Sequence, residues 1–440
     1  MYYEKSENIF NNFLADINVN KDKQDSLDTK YNAITNEFNK GLGYIPVNPS
    51  YSIKLPNKRW ESSSYKVGSF GRGTEVNTSS DLDMIYIIPL VKKSQFSSPK
   101  NLLESIRDIV QNKYPNTIVK MNRCVVQAQF KDVNIDIQPV FMKNDDEFEY
   151  PDTYSKETDW KITKPFLEQV KANDLKNSTQ GNFIDLCKMT RIWKNESNIN
   201  MSGLLIDTLV ANFFDACNSS YQKYDYYVMV RDFFEFISII PEATHHKALG
   251  SNQQVKVRDR YQNKAKKCYE NLNEAINTQE WKNIEKELGV IYGRIFCKRI
   301  GNLNLSFIGS ARNTEEFIED MYMIDIKYNI HITGIGKRAG YSRNLDLRSF
   351  QYPLPSGVKL YFEVQLDKKI KRGEVEIFWK VLNRGDEAIK KDCIRGDIIQ
   401  SNEIMHKETT MFNGNHLVEC YILRNNIVIA KDKIDINIRV

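Results

Sequence analysis

The chain has 440 residues, 41% of them hydrophobic and 27% charged, and no low-complexity tract; this is the composition of folded domains, about two to three of them at ~150 residues each. Its 62 Lys and Arg exceed its 57 Asp and Glu by only five, too small a surplus to coat a nucleic acid, so any such contact would need a local basic patch. Seven cysteines stand singly without metal-ligand or redox spacing, and neither a leader nor an apolar run of membrane-spanning length is present, so a cytoplasmic protein with reduced thiols and no membrane contact is expected.

Taken in order, Ile9, Phe10, Phe13, Leu14 and Ile17, then Leu27, Tyr31, Ile34 and Phe38, recur at helical spacing and predict two helices before Gly41. Next comes Gly68-Ser69-Phe70-Gly71-Arg72-Gly73-Thr74, read as a glycine-rich loop. Glycines beside Ser69 let backbone N–H groups converge on an anion, which suits a phosphate, and Arg72 adds a charged donor. It is not a P-loop, which needs Gly-Lys-Ser/Thr, nor a dinucleotide fingerprint, because it precedes a strand instead of following one.

That strand opens Asp81-Leu82-Asp83 and runs through Ile85 to Ile88. A period of two puts Asp81 and Asp83 on one face, where paired carboxylates beside a phosphate loop suit a Mg²⁺ ion bridging nucleotide phosphates. Leu102, Leu103, Ile106, Ile109 and Val110 predict a helix over 101–114. Strand-like alternation from Cys124 to Phe130 then leads into Val133, Ile135 and Ile137, which alternate with Asn134, Asp136 and Gln138. Asp136 is the expected third carboxylate and Asp132, near the expected turn, its rival. Taken singly, a glycine turn followed by acidic residues is ordinary loop chemistry; the combination with an alternating third aspartate is not.

The loop, Asp81-x-Asp83 and Ile135-Asp136-Ile137 together resemble the signature of the DNA polymerase β-like nucleotidyltransferases. The spelling Gly-Ser-Phe-Gly-Arg-Gly-Thr followed by Ser-Asp-Leu-Asp is most similar to the bacterial cGAS-like branch, the CD-NTases or SMODS proteins that make second-messenger oligonucleotides. The resemblance implies a metal site of Asp81, Asp83 and Asp136 holding Mg²⁺ or Mn²⁺. It also implies a triphosphate held by Gly68, Ser69, Arg72, Lys188 and Ser202. Without it, Lys188 reads as a solvated helix lysine and Ser202 as a helix N-cap.

Beyond Pro151 the text turns helical around Phe166, Phe183 to Trp193, Leu204 to Phe214 and Val228 to Ile240. His245-His246 reads as a surface turn. A charged run over 255–288, rich in Lys and Arg at its start, reads as one long helix. After Gly301 the pattern becomes β, with strands expected over 317–329, 358–366, 374–383, 416–423 and 426–438 and turns at Asn413-Gly414 and Asn425-Asn426. The stretches around Phe378-Trp379-Lys380, Ile394-Arg395-Gly396-Asp397 and His416-Leu417-Val418 resemble the AGS-C sensor domain, and Arg384 and Arg395 are where an anionic activating ligand is expected.

The fold class expected is α+β: an N-terminal pair of helices with a nucleotidyltransferase core over 1–150, a helical lobe over 151–298 and a β-sandwich over 305–440. The expected activity joins nucleoside triphosphates, ATP among them, into a cyclic or short linear oligonucleotide that gates an effector in antiphage defence. Two other readings stand beside it: a 3′-end tailing enzyme, disfavoured by the modest charge surplus, and a non-catalytic sensor, disfavoured by three convergent carboxylates.

Overall fold

The computed structural model of the protein describes residues 2–43, 63–78, 81–131, 133–144, 146–154, 160–217, 226–297, 315–338, 344–350, 352–391 and 393–439. Asp132 and the expected domain boundaries at 298 and 305 lie outside them. The chain divides into two units, one of Met1–Trp193 with Met201–Arg299 and the other of Lys194–Asn200 with Ile300–Val440.

In the first unit α1 (Tyr2–Ile17) and α2 (Lys21–Leu42) form where the apolar spacing predicts, and Asn20 caps α2 by accepting from the Lys23 amide. β1 (Ser64–Lys66) leads into a five-residue helix, α3 (Gly68–Arg72), and then into β2 (Asp81–Ile88). The expected loop is therefore a helical turn, because Gly71 N–H donates to Val67 O at 3.0 Å and Thr74 N–H to Ser69 O at 3.0 Å. α4 (Pro99–Lys113) follows with Ser98 as its cap, then β3 (Ile118–Met121), β4 (Val126–Gln129), β5 (Asn134–Met142), β6 (Phe148–Pro151) and β7 (Trp160–Thr163).

These strands make one mixed sheet of order β1-β2-β5-β4-β3, with β6 and β7 continuing from β5. β2 and β5 are parallel neighbours, and α4 lies between them in sequence as a crossover helix. One face of the sheet, carrying Leu82, Met84, Ile135 and Ile137, packs with Phe38, Leu102 and Ile106 from α2 and α4. On the other face Ile85, Ile87 and Val140 pack with Tyr65, Phe148 and Phe166.

The helices α5 (Pro165–Ser178), α6 (Asn182–Glu196), α7 (Gly203–Ala216) and α8 (Tyr226–Ile239) match the apolar pattern. The long charged helix does not form. Its first residues make β9 (Gln254–Lys256), which pairs with β8 (His245–Lys247), and the rest splits into α9 (Gln262–Asn277) and α10 (Trp281–Cys297). Gln279 at φ 55° makes the break, and a left-handed residue cannot continue an α-helix. His246 is thus on a strand, its ring 3.3 Å from the Tyr261 hydroxyl, instead of in a turn.

In the second unit the expected strand over 317–329 is instead a short helix, α11 (Ile318–Met321), and a two-residue strand, β10 (Met323–Ile324), parallel to the C-terminal strand. Then follow β11 (His331–Lys337), β12 (Leu345–Asp346), β13 (Lys359–Gln365), β14 (Glu376–Leu382), α12 (Asp386–Lys390), β15 (Arg395–Gln400), β16 (Met405–Thr409), β17 (Gly414–Arg424) and β18 (Ile427–Ile438). They form a five-stranded sheet, β10-β18-β17-β14-β15, and a four-stranded one, β12-β11-β13-β16. A shared core of Ile332, Phe362 and Val364 with Trp379, Ile422 and Ile436 joins the two sheets. Asn425 and Asn426, at φ 54° and 60°, make the tight turn between β17 and β18 that their identity predicts.

Candidate active site

The parallel register of β2 and β5 sets Asp83 directly opposite Asp136 and Asp81 opposite Asn134. Directly paired residues project to the same side, so all three aspartates share the face opposite Leu82 and Ile135. Each is half-buried. Asn134 Nδ2 donates to Asp81 Oδ1 at 3.0 Å, and Gln127 Nε2, from the neighbouring β4, donates to Asp136 Oδ1 at 2.7 Å. Asn134 was legible as a polar residue of an alternating strand and Gln127 was missed; sequence alone gives neither a partner.

Gly68 comes against this row. It has φ 61°, and a Cβ there would stand 2.0 Å from Asp83 Oδ2. The Val67 amide donates to Asp83 O at 2.9 Å, which fixes the chain entering the turn against β2. Gly71 is required for a different reason: a Cβ there would lie 2.8 Å from the backbone Lys66 O, and 2.4 Å from Gln169 Nε2 of α5, which donates to that same oxygen. The glycines thus permit close approach of a strand and a helix to one turn of backbone.

Arg72, expected as a phosphate donor, is engaged within the protein. It is buried, and its Nε donates to Asp207 Oδ2 at 2.8 Å while its Nη1 donates to Glu168 Oε2 at 3.1 Å. Arg191 Nη1 stands 2.6 Å from Asp207 Oδ1, and the Thr74 hydroxyl donates to Asp207 Oδ2 at 2.9 Å. Paired with Glu168 of α5 and Asp207 of α7, Arg72 anchors the turn to both helices. Burial by itself would raise the Asp207 pKa, but Arg191 and Arg72 outweigh it and hold the carboxyl at about 2.

Lys188 is half-buried on α6, with its Nζ donating to Asn18 Oδ1 at 2.7 Å. Burial lowers its pKa, against the attraction of Glu75. Glu75, one residue beyond the glycine motif, has its pKa raised by burial, and its Oε2 has no hydrogen-bond partner among the described residues. Ser202 caps α7, its Oγ accepting from the Leu205 amide at 3.2 Å, which is the ordinary use of a serine at that position. Lys188 and Ser202 are thus each accounted for by contacts within the protein.

No three His, Cys, Asp or Glu side chains among the described residues close on a common point as metal ligands. The donor set nevertheless suits a hard cation. Three carboxylates line one sheet face, and the space above Asp83 is kept by a residue with no side chain.

Residues 5–177 match the family described as the Second Messenger Oligonucleotide or Dinucleotide Synthetase domain. Residues 312–439 match the Adenylyl/Guanylyl and SMODS C-terminal sensor domain. No curated protein matches the chain. Among solved structures, Vibrio cholerae DncV cyclic AMP-GMP synthase, in complex with the linear intermediate pppA(3′,5′)pG, is 10% identical, with a TM-score of 0.50 over 65% of this chain and 94% of that one. CdnC of E. coli MS115-1, in its complex with HORMA-deltaN, is 15% identical with a TM-score of 0.49 over 66% and 98%. The Bradyrhizobium diazoefficiens CD-NTase CdnG, in complex with GTP, is 10% identical with a TM-score of 0.48 over 66% and 97%. The DncV likeness is one of fold, and it lies in the α+β nucleotidyltransferase architecture.

Proposed function

Because the chain joins a SMODS synthetase domain to an AGS-C domain, and so belongs to the cGAS-like nucleotidyltransferases, we propose that it is a cytoplasmic, Mg²⁺-dependent oligonucleotide synthase. It joins nucleoside triphosphates, ATP among them, into a cyclic or short linear product and releases pyrophosphate. The product gates an effector protein in CBASS-like antiphage defence. The observation that carries this reading is the in-register pairing of Asp83 with Asp136, with Asp81 on the same face.

In the reaction a ribose hydroxyl oxygen bonds to the α-phosphorus of a second triphosphate as the bond from that phosphorus to the β-phosphate oxygen breaks. Mg²⁺, or Mn²⁺ in its place, would be held by Asp81, Asp83 and Asp136 and supply charge neutralisation of the phosphates. Asp136 accepts the proton of the attacking hydroxyl, and Gln127 keeps its carboxylate oriented. Gly68 and Ser69 offer backbone to the triphosphate at the point where no side chain intrudes on Asp83. Lys188 exchanges its Asn18 partner for a phosphate oxygen. The test is product identification: purified protein is incubated with labelled ATP, GTP, CTP and UTP and Mg²⁺, and products are resolved by chromatography and mass. A phosphodiester-linked oligonucleotide with equimolar pyrophosphate per linkage is expected; orthophosphate alone would refute the reading.

A further inference from the structure

The five-stranded sheet of the second unit ends on β15 and the four-stranded sheet ends on β16. Register sets Ile399 of β15 opposite Trp379 of β14, and Trp379 and Val381 belong to the core between the sheets. The inner face of a sandwich strand is ordinarily filled by apolar side chains packed on the facing sheet. On this edge strand Ile399 is instead 57% exposed, and Asp397 two residues away is also exposed.

A bulge adds to the departure. The register shifts between Lys380 and Leu382, and φ is positive at both Arg395, 59°, and Gly396, 112°. Bulges at sheet edges re-aim side chains, and a non-glycine residue held in the left-handed region stores strain. Here the bulge sends Arg395 across to β16, where its Nη1 lies 2.7 Å from Glu408 Oε2. His406 Nε2 lies 2.7 Å from the other oxygen of the same carboxylate, and its ring stacks on Trp379 with centroids 5.4 Å apart. What remains between the two edge strands is an open groove of about 330 Å³, lined by the apolar Trp379, Val381 and Ile399 and by the charged Asp397 and Arg395.

Size and charge select the occupant. The volume is at the small end of ligand sites and suits one ring system with its substituents. Arg395 is already matched by Glu408, whereas Asp397 has no ion-pair partner among the described residues, so the uncompensated charge lining the groove is negative. That opposes the anionic ligand expected at Arg395 and favours a ring that offers N–H donors. We propose that this groove binds an unphosphorylated, amino-bearing heteroaromatic ring of the nucleobase or nucleoside class, seated on Ile399 and the Trp379–His406 stack with a donor on Asp397. The proposal rests on the sensor reading of this domain and names its ligand.

Isothermal titration of the full chain with adenosine, guanosine, cytidine and their 5′-monophosphates tests it. At least one nucleoside should bind, with its monophosphate no tighter. Asp397→Asn should weaken that binding about tenfold or more, the worth of a charge-assisted hydrogen bond. Ile399→Glu should abolish it, and both variants should melt and release pyrophosphate as the parent does. Absence of nucleoside binding, or binding unchanged in both variants and hence located elsewhere, would overturn the proposal. Binding that requires the phosphate and is lost in Arg395→Ala would also overturn it while leaving a sensor role for the domain intact.

Discussion

Arg72 and Asp207, 135 residues apart in the chain, meet at 2.8 Å in an interior where the Asp207 side chain is wholly buried. Removing one partner of such a pair leaves an uncompensated buried charge, which costs about 3–5 kcal/mol. Arg72→Ala should therefore lower stability by that order in urea unfolding, and activity should fall with the loss of the turn's anchor. An Arg72→Ala variant as stable as the parent but with a raised KM for the triphosphate would return Arg72 to the phosphate role.

The same pair predicts an acid limit. The folded Asp207 carboxyl, at about 2, lies below the ordinary aspartate value of about 3.9, so its contribution to stability is present above about pH 4 and is lost as pH falls toward 2. Stability measured by denaturant between pH 5 and 2 should decline in the parent, and the part of that slope owed to Asp207 should be missing in Asp207→Asn. Identical slopes would show that other carboxylates govern the acid limit.

Gly68→Ala should be nearly inactive. The added methyl would fall 2.0 Å from Asp83 Oδ2, and the left-handed backbone costs a non-glycine residue roughly 1–2 kcal/mol in addition. Steady-state kinetics should show kcat reduced, because Asp83 must move, and thermal melting should show a modest loss. Full turnover in Gly68→Ala would mean that the contact between turn and strand is dispensable.

How far the sequence could be read follows from the distance over which each feature is encoded. Asp81, Asp83 and Asp136 were legible because period two is a local rule, and the parallel register then brought the strands level. The buried partners of Arg72 were not legible, because nothing near it in sequence reveals Asp207 or Glu168. The charged run after Val255 kept helical composition through Gln279, whose left-handed φ only the packed chain makes evident. Likewise the strand expected from Phe317 shrank to Met323–Ile324, since its partner is the distant C-terminal strand. The turn at Asn425-Asn426 was read correctly because its chemistry is contained in two residues.

Lys188 gives a pH-dependent prediction. Burial lowers its pKa from the ordinary lysine value, so its charge is lost as pH rises through that lowered value, earlier than for a solvated lysine. If the ammonium holds the triphosphate, KM for nucleotide should climb over that alkaline range in the parent, and Lys188→Gln should show a high KM with no such climb. A KM that is equal in both proteins at neutral pH would leave Lys188 with Asn18 as its only partner of consequence.

The central claim is that Asp83 and Asp136, level with one another on adjacent strands, act in one phosphoryl-transfer site. Its most direct test is pyrophosphate release and product formation from the four labelled triphosphates with Mg²⁺, measured side by side for the parent, Asp83→Asn and Asp136→Asn, with melting curves in metal-free buffer. Both variants should melt no lower than the parent, since removing one of several crowded anions relieves repulsion, and each should lose product formation altogether. Product formation at the parental rate by either folded variant would contradict the account.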